Sequence, residues 1–427
     1  MKLNKKLILI ASLLTILLAC RTVEDKSIHQ KIVKDTERIF DNLVQIRRDL
    51  HQHPELAGDE IRTSKIIAKY LADLGLEVKT GIAGNGVIGI LKGNRNGKNI
   101  AWRADMDAIP SDFPDKVSFK STNKGVQHGC GHDIHIAIGL GIAEILSKNK
   151  ESINGTVYFI FQPEEETFVG AKNMVNNNIY QELQIDEIYA LHVTALPVGQ
   201  ILARPEEIFA YQKILQIKFD GKFSEKDSKE FHSQIRREVQ RLKDTTDPWQ
   251  ISKAFDSVAG IGNPNTLFQD YLFVDEHFSI KKDKNELVLT ATIYETNKSR
   301  LADILPKIEQ VISTSEHKDK FISMSYIQEN PTVLNHKALT KQAVNTINHI
   351  YGNNTVAPNY GQIPYFNDDF TYFQQKTPGV YFLLGGSNPE KGLVAMNHAP
   401  NFAVDEECIK VGVKSFSSLI MERANVE

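Results

Sequence analysis

Apolar residues recur at helical spacing close to the start of the chain. In residues 35–50 the positions Ile39, Leu43, Val44 and Leu50 predict one face of an amphipathic helix. A second helical pattern occupies residues 63–75, and its final glycine is the expected C-terminal cap. The folded part of the chain is therefore expected to begin with two helices.

Strand patterns follow these helices. Short apolar runs at 86–91 and 99–107 predict two strands, and residues 155–163 form a continuous apolar run that ends at a proline. Residues 136–148 are apolar on nearly all sides, which predicts a buried helix, and 187–193 predict another strand. Strands that alternate with helices favour an α/β domain with a mostly parallel sheet.

The pattern changes between residues 205 and 322. Residues 214–221 and 286–295 alternate like half-buried strands, and helical patterns lie at 228–243 and 300–312. We expect this segment to be a smaller α/β sandwich inserted into the first domain. The first domain, which is later predicted to carry the site, therefore has two parts, residues 35–204 and 323–427. The second part adds a helix at 336–352 and a strand at 379–385.

Composition agrees with a folded globular protein of two domains. The chain has 427 residues, 41% hydrophobic and 24% charged, with a net charge of −3. The sequence contains no strongly basic block, so a nucleic-acid partner is not expected.

The N-terminus has the pattern of an export signal. Lysines at positions 2, 5 and 6 precede an apolar run from Leu7 to Ala19, which is too short to span a bilayer. The run ends at LLAC and resembles a bacterial lipobox, so residues 1–20 are predicted to be a signal peptide and 21–34 a polar tether. Lipid on Cys20 would anchor an exported protein to the bacterial membrane, in the periplasm or on the cell surface. A plain signal peptide with an incidental cysteine is the alternative.

Chemically active side chains lie where predicted strands end. Asp105 and Asp107 follow one strand, Glu164–Glu166 follow another, and His192 lies near the end of a third. The segment HGCGHDIH, residues 128–135, precedes the buried helix, and His398 follows the last strand. In open α/β sheets ligands bind at this edge, and Cys, His and Glu are the side chains that hold divalent transition metals. The sequence therefore predicts a metal site.

The ordered series of these motifs resembles the aminoacylase-type metallopeptidases, the group that includes hippurate hydrolase, indole-acetyl-amino-acid hydrolase and N-acyl-amino-acid amidohydrolase. The matching stretches are RRDLHQHPEL (47–56), RADMDAIP (103–110), HGCGHDIH (128–135), FQPEEETFVGA (161–171), LHVTALPVG (191–199), DDFTYFQQKTPGVYFLLG (368–385) and NHAPNFAVDEE (397–407).

The resemblance implies a dinuclear site. The family motifs place metal ligands at five positions of this chain, Cys130, His132, Glu166, His192 and His398. They place the catalytic base at Glu165 and a supporting acid at Asp107, whereas Glu164 takes a variable place. Zinc or manganese is the expected metal, with cobalt or nickel as further options.

Several histidines and cysteines stay without an assigned role. His128 and His135 share the metal motif, and His51 and His53 are expected to form scaffold and pocket wall, with substrate contact left open for either. Cys130 and Cys408 are interpreted as separate thiols.

The resemblance implies metal-dependent hydrolysis of N-acyl amino acids or related small amides, which releases an amino acid and a carboxylic acid. The alternatives are a dipeptidase or carboxypeptidase acting on small peptides, or a non-catalytic, membrane-tethered binding protein. The inserted domain is expected to serve as a lid and to form a homodimer.

The inserted domain departs from the family pattern. Glu225 stands where relatives carry an oxyanion-stabilising histidine, and Tyr294 stands where they often have arginine. His232 lies in a charged helix and is predicted to be a solvated surface residue whose substitution by alanine has little effect. We therefore expect weak activity on the usual N-acyl amino acids.

Overall fold

The computed structural model describes residues 3–242, 251–283 and 285–426, with side chains from Ile28 onward. The described residues form ten α-helices: α1 (Leu3–Gln52), α2 (Ile61–Asp73), α3 (His132–Ser147), α4 (Gly170–Val175), α5 (Asn178–Glu182), α6 (Glu225–Val239), α7 (Ile304–Thr314), α8 (Lys337–Tyr351), α9 (Thr371–Gln374) and α10 (Glu407–Ala424).

Strands β1 to β9 are β1 (Glu77–Ile82), β2 (Gly86–Lys92), β3 (Arg95–Asp105), β4 (Ile109–Pro110), β5 (Val126–Gln127), β6 (Asn154–Gln162), β7 (Glu187–Pro197), β8 (Ile201–Ala203) and β9 (Glu206–Glu207). The later strands are β10 (Tyr211–Asp220), β11 (Leu272–Asp283), β12 (Glu286–Glu295), β13 (Phe321–Gln328), β14 (Leu334–Asn335), β15 (Val356–Pro358) and β16 (Gly379–Ser387).

The larger sheet has eight strands in the order β1-β2-β6-β3-β7-β16-β8-β15. Its four central strands, β6, β3, β7 and β16, are parallel to one another. Their side chains are buried on both faces, which explains the continuous apolar runs of the sequence. The predicted α/β fold with a mostly parallel sheet is confirmed.

Helices cover both faces of this sheet. On one face α3 and α10 pack against β3, and α1 packs against both of these helices. All residues of α3 are buried except Glu144 and Ser147. On the other face the short helices α4, α5 and α9 pack in a second hydrophobic cluster. The resulting three layers leave the carboxyl ends of the central strands open for a site.

The smaller domain contains a four-stranded antiparallel sheet in the order β11-β12-β10-β13. Helices α6 and α7 pack against it through Phe231, Ile235, Ile308 and Ile312, which belong to a separate core. This sheet spans residues 211–328, so it begins later and ends later than the predicted insertion at 205–322.

Part of the insertion leaves the small domain and packs on the large one. Residues 251–271, here called the strap, bury Phe255, Phe268 and Tyr271 in the same cluster as the large sheet. The backbone oxygen of Phe268 accepts a hydrogen bond from Gln362 N at 2.9 Å, and Tyr271 Oη donates to Gln362 O at 3.0 Å. The strap therefore joins the two domains by more than their connecting strands.

Helix α1 extends through the segment predicted as a tether. It runs without interruption from Leu3 to Gln52, and Ile32 within residues 21–34 is fully buried in the main core. His29 is also buried and contacts Ser418 of α10 at 3.0 Å. The catalytic domain thus begins before residue 35. No helix in the described part of the chain is both long and apolar enough to cross a membrane.

Candidate metal centre

The predicted site residues meet at the carboxyl edge of the large sheet. Asp105 ends β3 and Asp107 follows it, while Glu165 and Glu166 come just after β6. His192 belongs to β7, the strand on the other side of β3. Because these parallel strands end at one edge, residues far apart in sequence become neighbours.

The loop that leads into α3 supplies two further side chains. Gly131 is the N-cap of this helix and has a φ of +96°. A Cβ there would lie 2.4 Å from Val193 Cγ1 on β7, so glycine is required both by conformation and by space. The tight turn places Cys130 and His132 on either side of Gly131, both facing the strand ends.

His398 reaches the same place from a distant loop. Its backbone has a φ of +57°, and its N–H donates to Gly129 O at 3.0 Å. The neighbouring Asn397 donates through Nδ2 to Cys130 O at 2.7 Å and to Val193 O at 3.0 Å. Asn397 thus ties three segments of the site together, although only its place in the motif NHAP marked it in the sequence.

The predicted ligands form two overlapping triads. Cys130, His132 and His192 place ligand atoms within 4.8 Å of one another, and so do Cys130, Glu166 and His398. Cys130 Sγ lies 3.4 Å from His192 Nε2, and His398 Nε2 lies 3.0 Å from Glu166 Oε1. Cys130 belongs to both triads, so it would contribute to holding an ion in either of them.

Buried polar atoms at the centre support a cation. Both ring nitrogens of His132 and the Oδ1 atom of Asp107 are buried, and Nδ1 faces Oδ1 at 3.2 Å. The other ring nitrogen, Nε2, has no hydrogen-bond partner and lies 3.7 Å from Glu166 and 3.8 Å from Asp105 and Glu165. A buried ring nitrogen without a hydrogen-bond partner is rare in folded proteins and requires an explanation. A metal ion bound to His132 supplies one, because it uses a ring nitrogen that nothing else satisfies. The residues present therefore fit a metal site.

The electrostatics point the same way. Burial alone lowers the pKa of His132, but the carboxylates of Asp105 and Asp107 raise it to about 10. Burial raises the pKa of the Cys130 thiol well above its usual value, and nearby Glu166 adds to this effect. Since a thiolate binds metal and a thiol does not, Cys130 needs a positive neighbour to ionise.

Glu166 is readily ionised. Burial opposes its ionisation, but the hydrogen bond from His398 and the charges of His398 and His132 lower its pKa to about 2. Its backbone N–H donates to Asp107 Oδ2 at 2.9 Å, and Asp107 Oδ1 lies 3.2 Å from His132 Nδ1. Asp107 therefore contacts both the backbone of Glu166 and the ring of His132, which suits the supporting role predicted for it.

Glu165 lies beside the ligands in an acidic surrounding. It is buried, and its Oε2 atom is 3.8 Å from His132 Nε2. Burial raises its pKa well above the usual value, and Asp368 and Glu166 raise it further. A carboxyl whose pKa is raised in a cavity of this kind is suited to both accepting and donating a proton.

A buried arginine holds the acidic surrounding together. Arg103 on β3 contacts Asp105 at 2.6 Å, Asp368 at 3.0 Å and Asp369 at 3.2 Å. Its Nε donates to Gln162 Oε1 at 2.7 Å, next to the loop that carries Glu165. No role was predicted for Arg103, Gln162, Asp368 or Asp369, although all four lie in the quoted motifs.

The other motif histidines have different roles. His135 lies 2.5 Å from Asp105 through Nδ1, and its Nε2 accepts from Val193 N at 2.9 Å, so both nitrogens are occupied by protein. His51 lies between Asp133 at 2.8 Å and Asp115 at 3.1 Å, whereas His53 is near exposed Asp49. His51 thus forms scaffold.

His128 is buried beside this scaffold. Burial lowers its pKa to about 3, and neither ring nitrogen has a hydrogen-bond partner. It lines a narrow cavity together with His51 and His398. It is therefore a neutral part of the wall next to the metal centre.

A cavity of about 250 Å³ opens on the metal centre. Cys130, Glu165, Glu166, His192 and His398 line it. The inserted domain contributes Gln212 and Ile251 to the wall. The described residues that line the cavity do not include His232.

His232 lies elsewhere and is not solvated. It is 3% exposed and stacks on Phe278 with ring centroids 4.1 Å apart. The prediction of a surface residue was therefore wrong, because the charged positions around it in α6 hid a buried face. Cys130 and Cys408 are both buried free thiols, as interpreted.

Comparison with known proteins agrees with the fold and with metal-dependent hydrolysis. Residues 101–422 match Peptidase family M20/M25/M40. Thermostable carboxypeptidase 2 of Saccharolobus solfataricus is 32% identical over 93% of this chain and 99% of its own length. IAA-amino acid hydrolase ILR1-like 2 of Arabidopsis thaliana is 28% identical over 99% of this chain and 96% of its own.

A solved structure shares the fold. The YXEP protein of Bacillus subtilis, described as a dinuclear metal binding peptidase from the M20 family, superposes with a TM-score of 0.70. It is 24% identical and covers 90% of this chain and 98% of its own. The family match spans more than half of the chain, and the carboxypeptidase match spans nearly all of it. The chain therefore belongs to Peptidase family M20/M25/M40 and is a metal-dependent hydrolase of amide bonds.

Proposed function

We propose that this protein uses two divalent metal ions to hydrolyse N-acyl amino acids or related small amides. The observation that carries the proposal is the convergence of the two triads on one cavity with Glu165 beside them. Cys130, His132, Glu166, His192 and His398 would hold the ions. Two bound ions would lower the pKa of a water molecule and polarise the scissile carbonyl.

Glu165 has the position and environment of the general base. It lines the cavity, is nearly enclosed and lies within 4 Å of a ligand ring. It accepts the proton that the attacking water loses, holds it on its carboxyl group and donates it to the departing nitrogen. The products are an amine, in the simplest case an amino acid, and a carboxylic acid.

Asp107 and Asn397 position the other groups. Asp107 contacts His132 and the backbone of Glu166, and Asn397 fixes the backbone of Cys130. Such supporting contacts set the orientation of metal ligands and are commonly as important as the ligands themselves.

A second candidate is a carboxypeptidase or dipeptidase activity. The relatives named carboxypeptidase, at 32% identity, favour it. The bond cleaved is again an amide, so the same residues would serve. A non-catalytic binding protein is disfavoured because neither the base nor any ligand is missing.

The experiment that tests the proposal combines metal analysis with a substrate screen. Purified protein is loaded with zinc, manganese, cobalt or nickel, and bound metal is counted per chain. Each form is then assayed with acetyl-, benzoyl- and indole-acetyl-amino acids and with dipeptides. Two ions per chain and turnover of any amide support the proposal, while metal binding with no turnover of any amide would favour the binding protein.

We also propose that the chain is exported and anchored through lipid on Cys20. The support is the charge and length of residues 1–20 and the LLAC motif. Mass spectrometry of the mature N-terminus in a bacterial host tests this. A diacylated Cys20 is expected, and an unmodified N-terminus downstream of it would contradict the proposal.

A homodimer through the inserted domain is a further proposal. Strand β13 is an edge of the small sheet, and Ile322 and Ile327 on it are 47% and 54% exposed. Exposed apolar edges invite pairing with a second copy. Light scattering is expected to give a dimer mass that Ile327→Lys reduces to a monomer mass. A monomeric parent would exclude it.

A further inference from the structure

The cavity at the metal centre has a second wall of different character. Beyond the metal ligands, Glu165 and Asn397, it is lined by Phe168, Gln212, Ile251, Tyr365, Phe366 and Asn367. Aromatic and aliphatic side chains dominate this set, and amides are its polar members. A substrate whose reacting carbonyl lies at the metal ligands must extend along this wall.

The wall offers no positive charge from the described residues. None of the described residues that line the cavity is a lysine or an arginine, and its acids are Glu165 and Glu166. Arg236 is close enough to affect Tyr365 electrostatically, but its guanidinium faces Glu276 at 3.8 Å. This arginine therefore has an acid of the small domain as its ion-pair partner, while its Nε is buried without a hydrogen-bond partner.

Tyr294 lies behind the wall and packs against Tyr365. The rings of Tyr365 and Tyr294 have centroids 5.0 Å apart, and Gln212 Nε2 is 3.5 Å from Tyr294 Oη. Burial raises the pKa of both phenols, and the charge of Asp275 raises it further, so they stay neutral. The electrostatic potential behind the wall is thus neutral to negative.

The backbone supports a functional role for this wall. Tyr365 has a φ of +68°, a conformation that residues with side chains seldom adopt. Tyr365 lines the cavity, and the neighbouring Phe366 packs on Phe255 of the strap, with ring centroids 6.0 Å apart. Strained residues of this kind concentrate at ligand sites.

A carboxylate on such a wall would be poorly stabilised. Removing an ion from water is costly unless a partner of opposite charge replaces the lost hydration. An uncharged aromatic or aliphatic group gains instead, because each Å² of apolar surface that it buries contributes about 25 cal/mol. Gln212 can still donate to or accept from one neutral polar group.

We propose that Gln212, Tyr365 and Phe366 select substrates whose group along this wall is uncharged and apolar. This inference rests on the proposed amide hydrolysis and narrows its substrates. The preferred class is N-acylated amines and N-acylated amino-acid amides or esters. Free N-acyl amino acids, which carry a carboxylate beside the scissile amide, are disfavoured.

The test compares two substrates that differ only in this charge. N-acetyl-L-phenylalaninamide and N-acetyl-L-phenylalanine are assayed by acetate release with the full-length, metal-loaded protein. The amide is expected to have a kcat/KM at least about tenfold higher, the factor that corresponds to about 1.4 kcal/mol. An equal or higher value for the free acid would overturn the inference.

Variants locate the selectivity. Gln212→Arg places a cation on the wall and is expected to shift the preference toward the free acid by about tenfold or more. Gln212→Met removes the amide without adding charge and should keep the parent's preference for the uncharged substrate. An unchanged preference in Gln212→Arg would show that this wall does not contact the varied group and would overturn the inference.

A binding measurement separates this inference from the proposed function. Metal-loaded Glu165→Gln protein is titrated with both compounds by calorimetry, which needs no turnover. Tighter binding of the uncharged compound supports the inference even if the parent hydrolyses neither compound, and that failure would count against the proposed function. Equal or tighter binding of the free acid would overturn the inference.

Discussion

At the scale of single residues, Glu165 offers the sharpest test of the chemistry. Replacing it with glutamine keeps its shape and removes its ability to carry a proton. We expect Glu165→Gln to bind as much metal as the parent and to lose activity by about 10²–10⁴-fold. Metal content and initial rates measured on the same preparation check both parts.

Glu164→Gln is the matched control. Glu164 precedes the base in the same loop and is absent from the groups that could hold a metal. It should retain activity close to that of the parent. Parent-like activity in Glu165→Gln would remove Glu165 from the role of base.

Cys130 and Cys408 form a second matched pair. Both thiols are buried and free, but only Cys130 lies among candidate ligands, whereas Cys408 lies in α10 within the main core. We expect Cys130→Ser to lower bound metal by one ion or more per folded chain, because a serine hydroxyl is a poor substitute for a thiolate. Cys408→Ser should keep full metal content. Atomic absorption after gel filtration measures this, and equal metal in both variants would exclude Cys130.

The sequence predicted ligands better than supporting residues. Cys130 and His132 are separated by one residue, and a thiol and an imidazole at this spacing indicate a metal site. Arg103, Asp369 and Asn397 act through contacts with segments that lie far away along the chain. No local sequence pattern encodes such contacts, so the structure is needed to show which acid forms an ion pair with which arginine.

At the scale of elements, the turn before α3 controls the geometry of the site. Gly131 has a left-handed φ and no room for a Cβ against Val193. Gly131→Ala therefore should move Cys130 or His132 away from the other ligands. We expect much weaker metal binding and a loss of activity of about 10²-fold or more, because even a small displacement of a positioned group is costly in catalysis.

The variant Gly392→Ala is a control that separates the effect of backbone strain from the effect of moving the metal ligands. Gly392 also has a positive φ, of +68°, but a Cβ there would meet nothing within 4 Å. This variant should lose some stability and retain its metal and its activity. If Gly131→Ala and Gly392→Ala bound metal equally well, the turn would not be what places the ligands.

Elements with strong periodicity were predicted closely, and edge elements were missed. The patterns at 155–163 and 379–385 correspond to β6 and β16, which are buried on both faces. Strands β11 and β13 lie at the two edges of the small sheet and are largely exposed along much of their length. An edge strand needs an apolar face against one neighbour only, so its sequence carries a weak signal.

The strap was missed for a related reason. It has short 3₁₀ turns and buries scattered aromatics such as Phe255 and Phe268 without regular spacing. Its partner surface around Gly361 comes from the other end of the chain, where a Cβ would lie 2.9 Å from both Ile261 and Phe268. Packing of this kind depends on the assembled fold and leaves no periodic pattern.

At the scale of the whole molecule, the metal centre joins otherwise separate segments. Its ligands come from β7 and from the loops before α3, after β6 and before α10, which converge on one edge. Without cations, Glu165, Glu166, Asp107 and Asp368 would form a buried cluster with an excess of negative charge. A metal that binds the folded state alone stabilises it by mass action.

Removing the metal is therefore expected to lower the thermal stability of the full chain. A ligand present at 1,000 times its dissociation constant contributes about 4 kcal/mol, which corresponds to several degrees in Tm. Calorimetry of metal-loaded protein, of chelator-treated protein and of the treated protein after reloading measures the shift. Recovery of Tm on reloading excludes irreversible damage by the chelator.

The change in Tm on metal removal should be smaller for Cys130→Ser than for Cys408→Ser, because Cys130→Ser has fewer side chains left to bind the ion. An unchanged Tm after proven metal loss would mean that the cluster folds equally well without ions, and that the buried acids are held by Arg103 and by protonation alone.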